Sequence, residues 1–140
     1  MNIKRAIVFS IMLYLASFIG FFVIQLLPGE QSFTEVPSLL SFLIGWIINI
    51  PIVLLLAKWY FKTILPTAKS GLQLGIVAII ISLLLDGVSI VATLASGQSI
   101  DVFTALYTDW KFYVTVIEIL LLTSVAGYEF DATDTAVTQE

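Results

Sequence analysis

Four stretches of this chain run with almost no charge: Ala6 to Leu27, Val36 to Ala57, Gly71 to Ala95 and Phe112 to Tyr128. A bilayer core of about 30 Å takes roughly 20 apolar residues of helix to cross, so each stretch reads as one crossing. The fourth is the shortest and carries Glu118, and it depends on its neighbours to stay inserted.

Inside each stretch, small and polar residues recur at every third or fourth place, the spacing that gathers side chains on one helix face. On the third span the stripe is Gly71, Gly75, Ala78, Ser82, Asp86, Ser89 and Thr93, while Ile76, Ile80, Leu84 and Val91 on the other side suit lipid. The first span gives Ala6, Ser10, Tyr14, Ser17, Phe21 and Gln25; the second gives Ser38, Ser41, Gly45 and Asn49. The fourth gives Lys111, Thr115, Glu118 and Glu129. Lipid supplies no hydrophobic force between helices, so small residues that admit a close backbone and polar groups that bond across the gap must hold a bundle together. The stripes are therefore expected to meet, in an all-α, antiparallel bundle of four transmembrane helices. That bundle makes residues 1–130 a single domain, and Gly71 and Gly75 form a GxxxG pair on its third helix.

The loop "SGQSIDVFTALYTDWKF" has Ser99 placed to cap a helix, with Val102, Phe103, Leu106 and Trp110 at helical spacing. It predicts a brief helix lying in the membrane interface. Residues 131–140 are acidic, lack an apolar period and read as a disordered cytoplasmic tail.

Depth follows from a rise of 1.5 Å per residue. Asp86 and Glu118 each fall about 10–14 Å below the outer surface, and Asn49 and Tyr14 about 12–14 Å from the cytoplasmic side. Consecutive antiparallel spans are expected to be neighbours, so the two acids read as a pair sharing at least one proton. Ser82, Ser89 and Thr115 lie one turn away to complete their network. Pro51, just after Asn49, removes a backbone donor and predicts a kink.

Composition sharpens this picture. Of 140 residues 59% are hydrophobic and 11% charged, against roughly 45–50% and 25% in soluble domains. With no cysteine and no histidine, disulfides, thiolate chemistry, haem ligation and most metal sites drop out, and no cofactor is expected. The net charge of −4 comes largely from the tail, and with no basic patch to meet phosphate no nucleic-acid partner is expected. Lys4, Arg5, Lys58, Lys62 and Lys69 fall on one side and Lys111 on the other. The positive-inside rule then puts both termini in the cytoplasm. The first span has the basic start of a signal peptide, but its length and the lack of a small-x-small site predict a retained span. Trp59 to Phe61, and Tyr107, Trp110, Phe112 and Tyr113, read as aromatic belts.

The residues expected to matter are Asp86 and Glu118 as a proton or cation site, with Tyr14, Ser17, Asn49, Ser82, Ser89 and Thr115 as the packing stripe. No enzyme is expected. The usual acid–base and nucleophile sets lack their histidine or cysteine, and "LLLDGVS" offers neither the second aspartate nor the GxGD setting of an intramembrane aspartyl protease. Two functions remain. One is a structural or accessory subunit whose polar faces bind each other or a partner's helices. The other is a small proton- or cation-coupled transporter, a homodimer supplying enough volume around Asp86 and Glu118. Lys4-Arg5, "KSGLQLG", "LLLD" and "YTDWKFY" together resemble the small uncharacterised four-span membrane proteins of bacteria and archaea. That resemblance implies the fold and a place in the plasma membrane of a prokaryote, and no particular chemistry.

Overall fold

Capping groups and punctuating residues divide the chain into five helices in the computed structural model, which describes residues 2–24, 26 and 36–134, with side chains to 130. They are α1 (Ile3–Ile24), α2 (Leu39–Phe61), α3 (Ala68–Ala95), α4 (Asp101–Thr108) and α5 (Trp110–Asp134). Four of them, α1, α2, α3 and the Trp110–Phe130 part of α5, are long and apolar enough to cross a bilayer. Ser38 caps α2 by accepting from the Ser41 N–H at 3.2 Å. Thr67 and Ser70 form a reciprocal capping box at the start of α3. Gly97, at φ 75°, ends α3, its N–H donating to the Leu94 carbonyl. The short α4 follows Ser99, whose Oγ accepts from the Asp101 N–H at 3.1 Å. Asp109 starts α5 in the same way, accepting from the Lys111 N–H at 2.9 Å.

The spans begin or end about a turn away from the apolar runs. α1 starts at Ile3, α2 continues to Phe61 and α3 starts at Ala68, so the flanking Lys4, Arg5, Lys58 and Lys69 are helical. Long basic side chains allow this, because their stems lie along apolar surface while the charge stays at the end of the helix. α2 runs on through Pro51. Helix α5 takes in residues 131–134 of the acidic tail; residues 135–140, like Gln25 and Leu27 of the first run, lie outside the described residues.

The long helices pack in the cyclic order α1, α2, α5, α3. Arg5 at the start of α1 donates to the Trp59 carbonyl at 2.7 Å and to the Thr63 hydroxyl at the end of α2, with its guanidinium over the Trp59 ring. α1 and α2 are therefore antiparallel. A Cβ on Gly71 would strike the backbone of Thr123 and Ser124, and one on Gly127 the Thr67 carbonyl, so the start of α3 lies on the end of α5. The Gly71–Gly75 face is thus buried inside this chain. Trp46 meets Thr115, which places α2 and α5 side by side.

Packing is concentrated at the Arg5 end. Phe9 and Leu13 of α1, Val53 and Tyr60 of α2, Leu74 of α3 and Ala126 of α5 form one buried cluster. Ser10 and Thr123 are fully buried beside it and return their hydroxyls to the carbonyls of Ala6 and Ile119. On the outside Ile76, Ile80, Leu84 and Val91 are all exposed, as the third-span stripe requires.

The glycines differ sharply in what a methyl group would meet. Gly71→Ala forces α3 off the Thr123 backbone and should destabilise by about 1–3 kcal/mol, the scale of overpacking. Gly87, with nothing within 4 Å of a Cβ, should gain up to about 1 kcal/mol as alanine from helix propensity. Thermal unfolding of both variants in bicelles checks the pair, and similar effects at the two positions would contradict this helix contact.

A carboxylate at the base of a hollow

Asp86 projects from α3 beyond the packed end, and hydroxyls from two other helices meet it. The Tyr14 hydroxyl on α1 donates to Oδ1 at 2.8 Å and the Tyr107 hydroxyl on α4 donates to Oδ2 at 2.7 Å. Phenols are long enough to cross the gap, and a carboxylate strengthens the hydrogen bonds it accepts. The Tyr113 hydroxyl donates to the Tyr107 carbonyl at 3.0 Å, and the Tyr107 ring stands edge-on to Phe112 at 4.9 Å. Lys111 pairs with Asp109 at 3.0 Å and lies 5.3 Å from the Phe42 ring centre. α4 is thereby fastened to the bundle at its C-terminal end.

Glu118 lies elsewhere. Its carboxyl lies beside Asn49 of α2, whose side-chain oxygen receives the Ser17 hydroxyl at a long 3.4 Å. Oε2 of Glu118 is buried and has no hydrogen-bond partner. It adjoins a shallow depression between α2 and α5 formed by Ile50, Val114, Ile117, Leu121 and Leu122. The paired-acid expectation thus needs correcting: Asp86 bonds to α1 and α4, and Glu118 lies beside Asn49 of α2. The separate level expected for Tyr14 and Asn49 is also corrected, because each reaches one of the acids. The extra helical turn at the Arg5 end moves both residues further from that end than the apolar runs indicated.

Tyr14, Ser17, Asn49, Asp86, Ser89 and Thr115 all face a hollow of about 440 Å³, within the range of small-molecule sites. The polar stripes converge on this space instead of closing on each other. Ser82 takes no part in it. The walls are apolar: Phe18, Phe21 and Ile24 from α1, Phe42 and Ile48 from α2, Phe112 from α5. Val102, Phe103 and Leu106 bring the apolar face of α4 against the same space. Gly20 and Gly45 keep the wall open, since a Cβ at Gly20 would meet nothing within 4 Å and one at Gly45 would reach Ile24 at 3.8 Å. Among the described residues, no group of three or more acidic, histidine or cysteine side chains could hold a metal ion.

Tyr107 and Trp46 were not legible as site residues. Tyr107 sits in a loop where an aromatic reads as an interfacial anchor, and the available signal was its position on the apolar period of a short helix. Trp46 donates its indole N–H to the Thr115 hydroxyl at 2.8 Å and forms part of the wall. Comparison with family models, with curated proteins and with solved structures finds no match to this chain.

Burial pushes the Tyr107 phenol above its ordinary value, and the bonded Asp86 carboxylate pushes it further. Asp109 is held below the usual carboxylate range by the Lys111 backbone N–H and then by its ammonium group. The Tyr107 bond is therefore complete below the ordinary phenol value of 10.0 and is lost as pH rises through the higher folded value. A phenolate absorbance titration, wild type minus Tyr107→Phe, should show the Tyr107 midpoint above 10.0; a midpoint at or below it means that the bond is absent. Removing the hydroxyl should also raise amide exchange across α4 about tenfold, the low end for a hydrogen bond to a charged group. Exchange in the Phe9–Tyr60 core should not change.

Proposed function

We propose that this is a non-enzymatic multi-pass protein of a prokaryotic plasma membrane that binds a small amphiphilic molecule inside its own bundle. Both termini face the cytoplasm, as the basic residues at the Arg5 end favour, and α4 lies in the outer interface over the hollow. One observation carries the reading: a 440 Å³ space with apolar walls leads to a single carboxylate held by two phenols. Such a site combines the apolar lining that supplies affinity with the few convergent polar groups that fix orientation. One chain provides the volume for which a homodimer was invoked. The transport reading then begins with binding at Asp86, and Glu118 lies outside the binding space.

The accessory role has separate support. The open depression of Ile50, Val114, Ile117, Leu121 and Leu122 at the α2–α5 seam would seat apolar side chains of a neighbouring protein's helix. The Gly71–Gly75 face gives that role no support, because α5 already covers it.

Trp46 in the wall provides the readout. A brominated medium-chain alcohol added to the protein in nanodiscs should quench Trp46 saturably, and the saturable part should vanish in Trp46→Phe. Gly20→Leu puts bulk into the hollow where a Cβ meets nothing and should weaken binding about tenfold or more. Linear quenching that is the same in wild type and Gly20→Leu would mean simple partitioning into lipid and would end the binding proposal.

A further inference from the structure

Hydrogen-bond accounting around the inner end of the hollow limits what a ligand there can be. The hydroxyl and indole donors at that end are already engaged. Tyr14 and Tyr107 donate to Asp86, Ser17 to Asn49, Trp46 to Thr115, Ser89 to the Leu85 carbonyl and Thr115 to the Lys111 carbonyl. The Asn49 amide, whose oxygen takes the Ser17 hydroxyl, is the exception and keeps N–H capacity beside the hollow. Backbone N–H groups in this region lie within helices and are engaged there. Apart from the Asn49 amide, what remains is acceptor capacity. A carboxylate offers about four lone-pair sites, and the phenols take one on each Asp86 oxygen; the Ser17 and Ser89 oxygens add more.

Charge points the same way. Lys4, Arg5, Lys58, Lys62 and Lys69 belong to the opposite end of the bundle. Lys111, the remaining cation of the chain, is paired with Asp109 and lies against Phe42. Asp86 therefore faces the hollow with two neutral donors and no basic side chain bonded to it.

We infer that the hollow selects an amphiphile whose polar end is a primary ammonium group, its alkyl or aromatic body against the Phe18, Phe21 and Phe42 wall and its N–H donors on Asp86. This rests on the binding proposal above and deepens it. A primary ammonium brings three donors and no acceptor, the complement of a carboxylate that has one phenol on each oxygen and no basic partner. An alcohol can donate one bond without the charge. A trimethylammonium carries the charge without a donor, and a carboxylate amphiphile meets the like charge of Asp86 with no cation to offset it.

Four eight-carbon probes separate these properties: octylammonium, octanol, octyltrimethylammonium and octanoate. Each competes with the brominated alcohol for Trp46 in nanodiscs, at pH 7 and at matched concentration in the bilayer. Octylammonium should displace it about tenfold or more better than octanol, the scale of a charge-assisted hydrogen bond. Octyltrimethylammonium should fall clearly below octylammonium, and octanoate should not compete. Asp86→Asn should bring the octylammonium-to-octanol ratio to within about twofold, since the amide keeps the shape and loses the charge. Should that variant fail to fold, the wild-type order among the four probes decides alone. Equal competition by octylammonium and octanol overturns the ammonium inference and leaves the binding proposal standing. Equal competition by octylammonium and octyltrimethylammonium overturns the donor requirement. Competition unaffected by Gly20→Leu means that the hollow is not where the probes bind, and then the binding proposal itself fails.

Discussion

Among apolar helices a carboxylate must find its donors within the protein, and Asp86 finds both in phenols from other helices. A buried acceptor without a partner would cost several kcal/mol in a low-dielectric setting, so the Tyr14 and Tyr107 hydroxyls form a necessary part of the structure. They tie α3 to α1 on one side and to α4 on the other. Because α4 is only eight residues long, below the length at which an isolated helix is stable in water, its position depends on this bond, the Asp109 cap and the apolar contacts of Val102, Phe103 and Leu106.

The bundle is uneven along its length because of where its small residues fall. Gly71, Gly75 and Gly127 bring α3 and α5 into backbone contact at the Arg5 end, and aromatic side chains fill the space between the other helices there. Towards the other end Gly20 and Gly45 are equally small, but no neighbouring backbone comes close to use the room. Small residues permit close approach without compelling it. At one end the packed helices take that opportunity, and at the other the same residue type leaves a hollow.

This difference also explains what was legible in the sequence. Hydropathy and the period of 3.6 identify four spans and their lipid faces, because every residue of a span contributes to that signal; Ile76, Ile80, Leu84 and Val91 are exposed as a group. The polar stripe was equally readable, and five of its six residues line the hollow beside Asp86. The hollow itself was not, since it depends on distances between helices that no single helix encodes. The partners of the acids were missed for a related reason. Counting residues places Asp86 and Glu118 at similar depth, but hydrogen bonds follow the direction around the helix, and there Tyr14 faces one acid and Asn49 the other. The helix ends were misjudged by a turn because charged residues interrupt hydropathy without interrupting the helix, as Arg5 does while bonding to Trp59 and Thr63.

Holding α4 and facing the hollow are compatible tasks for one side chain. Each Asp86 oxygen accepts one phenol at ordinary hydrogen-bond length and keeps a second lone pair. A donor arriving from the hollow therefore adds to the existing bonds without displacing Tyr107, and α4 can stay in place over an occupied site. Had the second acid been the partner, as depth alone suggested, the two carboxyls would have bonded to each other through a shared proton, and part of the acceptor capacity on both would have been consumed. By using phenols, which are long, neutral and single donors, the chain satisfies its intramembrane aspartate once on each oxygen and leaves the rest of its acceptor surface directed at a space lined with aromatic rings.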